Sequence, residues 1–222
     1  LEWGLIAPAF YKEINMAGSS SDVKVTFISD EVAADPNGFS ASAQVGENAA
    51  LTLGGALASG GAVTLGSART VVITSGSDDS GISFNVVGTD LDGASLTENI
   101  TGGSSTTSTG TKFFKTIISI TAVGDPAGTV IAGTTASAAD IIFGGRTRLK
   151  GYSIVSGGTA GVIEFVNGEP NGGGTTLFKA RTIGTDNTTI DNTIPQNGVV
   201  FEDGMYVKYT IATTDMMSFF YA

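Results

Sequence analysis

Apolar and polar residues alternate along most of this chain with the two-residue period of a pleated strand, and glycine, asparagine and aspartate interrupt them about every ten residues. Residues 23–28, VKVTFI, place Val23, Val25 and Phe27 on one face and Lys24, Thr26 and Ile28 on the other. From Asp35 to Gly61 the text is small and polar, and reads as a long loop or short strand pieces, with a short helix around Gln44 to Ala50 as the alternative. Regular strand signals follow: AVTL from residue 62, then Thr70–Thr74, Ser80–Gly88, Ser95–Thr101 and Lys112–Thr121, closed by the pair TVIAG and ADIIFGG. A second series begins at Arg146, with strands in GYSIV, GVIEFV, TTLFKA, GVVF, MYVKYT and MSFFY. This spacing predicts an all-β protein of two antiparallel β-sandwich domains. Residues 16–145 form an Ig-like or Greek-key unit with an irregular segment at 33–61, and residues 146–222 a jelly-roll-like unit.

The connectors are turn chemistry. SGSDD, TDLDG, NGEPNGGG and PQNG are rich in residues that accept left-handed backbone angles or bond their own main chain. Glu202, Asp203 and Gly204 stand between GVVF and MYVKYT, and Asp-Gly between apolar runs is a strong hairpin signal. Adjacent strand residues point to opposite faces, whereas an acid and base pair must converge across a cleft, so these three are predicted as a structural turn. Asp78, Asp79, Asp90 and Asp92 are loop carboxylates of the kind calcium prefers, but the full calcium-loop pattern is absent and no metal site is expected. NGGGTT at 171–176 lacks the Lys-Ser/Thr pair of a phosphate cradle and reads as a hairpin loop. Arg146, Arg148 and Lys150 alternate, so a strand projects all three from one face, either as a guarded edge or as a docking stripe for an acidic partner.

Composition narrows the functions available. The chain has no Cys and no His, which removes thiol nucleophiles, disulfides, imidazole bases and most zinc or copper sites. No catalytic residue and no cofactor is expected. A net charge of −10 argues against nucleic-acid and anionic-membrane partners, and no apolar run reaches the roughly 20 residues of a membrane-spanning helix. Charge is uneven: residues 1–145 carry 5 basic and 14 acidic side chains, and residues 146–222 carry 6 and 7. The first fifteen residues, which hold the one Trp, differ in character from the rest of the chain. Lys12-Glu13 can be encoded as a ribosome-binding sequence two codons before Met16, which suggests Met16 as the natural start. Alternatively, residues 1–15 are an arm that packs Trp3, Leu5, Ile6 and Phe10 on a neighbour.

The stretch TVVITSGSDDSGISFNVVGTDLDGASLTENITG, with STGTKFFKTIISITAVG, resembles a repeat-like β-domain of structural proteins of tailed bacteriophages. The run from GYSIVSGGTAGVIEFVNG through GVVFEDGMYVKYT to the final aromatic strand resembles small phage virion β-domains. Together they cover roughly residues 62–222. The resemblance implies a non-enzymatic virion protein, a capsid decoration or cement protein above all, with a tail tube or fibre subunit as the alternative; it implies no site residues. The expected partners are further copies of the chain, as a homo-oligomer and specifically a trimer, and other virion proteins such as the major capsid protein. In another class, an extracellular carbohydrate-binding or adhesin module needs an exposed aromatic platform, for which Tyr206, Tyr209 and Tyr221 are the candidates.

Overall fold

A computed structural model describes residues 23–29 and 33–222; both readings of residues 1–15, the start at Met16 and the packing arm, lie outside the described residues. The chain is all-β. The first strands are β1 (Lys24–Ser29), β2 (Ser40–Gln44), β3 (Ala58–Ser59), β4 (Ala62–Ser75), β5 (Ser83–Thr89) and β6 (Ser95–Thr101). The chain continues through β7 (Thr107–Thr109), β8 (Phe114–Val123), β9 (Thr129–Phe143), β10 (Thr147–Ser156), β11 (Val162–Asn167) and β12 (Thr175–Arg181). It closes with β13 (Thr189–Thr193), β14 (Val199–Phe201), β15 (Met205–Thr210) and β16 (Thr214–Tyr221), with single 3-10 turns at Pro170–Gly172 and Ile211–Thr213.

Among the described residues these strands form two antiparallel sheets. The larger has eleven strands in the order β12-β11-β15-β9-β4-β8-β5-β6, with β2 on β9 and both β3 and β7 on β4. The smaller has five, β1-β16-β10-β13, with β14 also on β10. Alternation drives the burial: along β5, Phe84, Val86 and Gly88 are buried while the residues between them are partly exposed. One apolar core gathers Phe39, Phe84, Phe114, Ile117 and Ile120 with Val71, Ile73 and Val130. A second gathers Leu149, Tyr152, Ile154, Phe165, Phe201, Met217 and Phe219 from both sheets. Within it the Phe165 and Phe178 rings stack at 4.1 Å and Phe219 meets Phe165 edge-on at 5.7 Å. Full burial of a ring, as at Phe165 and Phe219, contributes about 1.5–3 kcal/mol.

Strand β9 serves both cores, with Val130 and Ala132 in the first and Ala138 and Ile142 in the second. Strand β1, from the beginning of the chain, pairs along its length with β16 at the end, and Ile28 packs on the second core.

Several sequence expectations are corrected by the ladders. No helix forms at Gln44–Ala50; Gln44 ends β2, Asn48 takes a φ of 54°, and Ala50 bridges to Thr121. AVTL and Thr70–Thr74 are one strand, β4, because Gly66-Ser67-Ala68 is absorbed as a register shift against β8 and not as a turn. TVIAG and ADIIFGG likewise merge into β9, whose small residues 132–139 let it continue between β2, β4 and β15.

Candidate functional site

The outward face of the five-stranded sheet is built by strand phase. The antiparallel register sets Val25 beside Phe220 and Phe220 beside Gly151, then Phe27 beside Ser218 and Ser153, then Ser29 beside Met216 and Val155. Their neighbours Ile28, Met217, Ile154 and Phe219 point the other way into the core. Val25 is 56% exposed, Phe27 67%, Met216 42% and Phe220 38%. Scattered exposed apolar residues are ordinary, but these lie on adjacent strands of one face. The alternation of residues 23–28 is present as expected, with its Val-Val-Phe side turned to solvent.

Arg148 and Lys150 border this face on β10, where Leu149 between them is buried. Lys150 shares a shallow depression with Gly151, Ser153, Asp191 and Phe220. Arg146 precedes the strand and pairs with Glu202, Nε to Oε2 at 2.5 Å, both side chains more than half exposed. The predicted triple stripe is therefore a pair, Arg148 and Lys150, with Arg146 engaged across the sheet. Arg148 donates weakly to the Asn197 carbonyl at 3.4 Å.

Glu202, Asp203 and Gly204 form the bend between β14 and β15. These strands lie in different sheets, so the bend is a corner that carries the chain from one layer to the other and not the hairpin expected. Asp-Gly chemistry suits both geometries; what differs is whether the flanking strands find each other or other partners. Gly204 has a φ of 95°, and a Cβ there would lie 3.0 Å from the Tyr206 ring and 3.2 Å from the Phe143 carbonyl oxygen. The two carboxylates diverge: Glu202 goes to Arg146, while Asp203 accepts from Asn167 Nδ2 at 2.9 Å, and its own N–H donates to Asn167 Oδ1 at 3.0 Å.

Asp203 also borders an acidic groove of about 410 Å³, lined by Asp92, Asn167, Glu169, Tyr206 and glycines of the 168–174 loop. Sequence reasoning missed this groove because its walls come from residues 92, 144, 167–175 and 203–206. Asp90 accepts from the N–H groups of Asp92 and Ala94 and so folds its own turn. Asp92 accepts both its contacts from the Tyr206 hydroxyl, at 2.8 and 2.9 Å. Burial, then these hydrogen bonds to Asp92, push the phenol well above its ordinary value, so Tyr206 is a fixed donor and not a base. Burial raises the Glu169 carboxyl, opposed by the Gly172 N–H it accepts and reinforced by Asp90 and Asp92. Asp78 binds Ser80, and Asp79 is fully buried and accepts from the Ala127 N–H at 2.8 Å. Among the described residues no group of three or more acidic side chains is arranged to hold a metal ion.

The three tyrosines named for sugar stacking are buried. Tyr206 is held by Asp92, Tyr209 donates to Asp140 at 2.7 Å, and Tyr221 shares a hydrogen bond with Thr26. No family model matches the chain, and neither a curated protein nor a solved structure matches it.

Proposed function

We propose that this chain is a non-enzymatic structural protein of a tailed-phage particle, one that decorates the capsid through protein–protein contacts. In this reading the first core belongs to an Ig-like, Greek-key sandwich and the second to a jelly-roll-like one, and copies associate with one another and with the major capsid protein. The phage class rests on the resemblance of residues 62–222 to virion β-domains. The observation that carries the attachment role is the outward face of the five-stranded sheet. It combines exposed Val25, Phe27, Met216 and Phe220 with Arg148 and Lys150 at its border, in a chain of net charge −10. An apolar centre with a charged rim is how protein-binding faces are made. Between residues 35 and 145, which contribute no strand to that sheet, acidic side chains outnumber basic ones nine to three, which suits a projecting part that keeps neighbouring particles apart.

The experiment is the charge reversal R148E/K150E, which leaves the Arg146–Glu202 pair intact. Occupancy on particles of the encoding phage is measured at low and high salt. Rim ion pairs are screened, so the variant is expected to lose occupancy at low salt, and the difference from the unmodified chain to shrink as salt rises. Equal occupancy at both salts would remove the basic pair from the contact.

A further inference from the structure

We infer that β1 is a seam between two copies of this chain, joined edge to edge across a two-fold axis. The inference rests on the reading of the outward face as protein-binding and names the partner of its β1 side. Three features of β1 point there.

First, among the described residues β1 has β16 on one side and no strand on the other, so one row of its backbone N–H and C=O groups faces outward. Such an edge is a template for another strand, and proteins usually guard it with charge, proline or a bulge. Strand β1 has no proline, and its register with β16 runs unbroken from Lys24–Tyr221 to Ser29–Met216. Its one charge, Lys24, is drawn over the Phe143 ring at 5.8 Å.

Second, the strand is self-complementary. Antiparallel pairing about Thr26 sets Val25 of one copy beside Phe27 of the other and Lys24 beside Ile28. Residues of equal parity meet, so the outward backbone groups face each other and Val25 and Phe27 stay on one face. The two most exposed side chains of the pair, at 56% and 67%, then cover each other, and Phe220 beside Val25 extends the row. Contact between the same patch on both subunits is what a two-fold dimer requires.

Third, the charge is right for self-contact. A chain of net −10 repels its copy over most of its surface, yet residues 23–29 contain no carboxylate. An edge that carries one lysine and no carboxylate lets two such chains meet without like-charge carboxylate contact along β1. The pairing builds a dimer, where the sequence reading expects a trimer.

The test uses the full chain. Sedimentation equilibrium at micromolar concentration is expected to return twice the chain mass. F27K, at an exposed position, is expected to halve that mass while far-UV circular dichroism keeps the β-sheet signal of the unmodified chain, whereas I183K, 61% exposed but away from the edge, is expected to leave the mass unchanged. Because the chain has no cysteine, V25C/F27C tests the register independently: mild oxidation is expected to give a reducible species of twice the mass. A monomer or trimer for the unmodified chain overturns the inference, as does a dimer that F27K leaves intact or an oxidised V25C/F27C that stays uncrosslinked. These measurements need no particle, so failure of the seam is distinct from failure of the attachment experiment.

Discussion

At Gly204 a single backbone angle decides whether the chain can turn from β14 into β15. A φ of 95° is open to glycine and strained for a β-branched residue, and here the added atoms also meet Tyr206 and the Phe143 carbonyl. G204V is expected to lower stability by at least about 1 kcal/mol in chemical denaturation, whereas E202Q, which breaks only an exposed ion pair, is expected to leave the midpoint in place. A neutral G204V would mean the corner tolerates a different angle. The turn itself was legible, since Asp-Gly between apolar runs has few other uses. That it joins two layers was not, because the partners of β14 and β15 lie at residues 147–149, 137–143 and 164–167, beyond any local signal. Arg146 and Glu202 were each legible as candidates for separate reasons. Their pairing depends on an approach across 56 residues that only the folded sheet supplies.

Among elements, strand period was easier to read than strand phase or partner. Residues 23–28 alternate clearly, but the period cannot say which side is inside, and the side with two valines and a phenylalanine faces out. The ladder β12-β11-β15 shows the same division. Glu164 on β11 lies opposite Lys179 on β12 and Lys208 on β15, at 2.5 and 2.9 Å, an ion triad assembled from three strands. Hydrogen bonds from Lys179, then Lys208, hold the Glu164 carboxyl at about 2, against 4.5 for the free group. A folded value below the unfolded one means the triad's stabilisation is complete above about pH 4.5 and is lost as pH falls toward 2. After allowance for screening at the half-exposed Lys179, it is worth on the order of 1–2 kcal/mol. E164Q is expected to flatten the loss of stability between those two pH values, measured by urea midpoints; a slope equal to that of the unmodified chain would assign the acid sensitivity to other carboxylates.

For the whole molecule, the question is whether two apolar cores unfold as one. Strand β9 contributes buried side chains to both, so melting either core removes support from the same strand. Polar ties span the chain as well. The Tyr206 hydroxyl on β15 donates to Asp92 in the β5–β6 turn, and Asn171, before β12, both donates to and accepts from the Phe113 backbone before β8, at 2.9 and 2.8 Å. Ser67 on β4 donates to Asp140 on β9, which also accepts from Tyr209 on β15. With this much shared, neither core has a boundary at which the other can detach, and calorimetry of the full chain at low concentration is expected to show one transition whose calorimetric and van't Hoff enthalpies agree. Y206F removes a hydrogen bond to a charged acceptor and leaves the Asp92 carboxylate short of its donor, which costs about 1.5–3 kcal/mol. In a chain of this size each kcal/mol lowers the midpoint by about 2–4 °C, so the variant is expected to melt several degrees lower, still in one step. Two resolved transitions in the unmodified chain would show that β9 does not couple the cores; two in Y206F alone would place the coupling in the Tyr206–Asp92 bond.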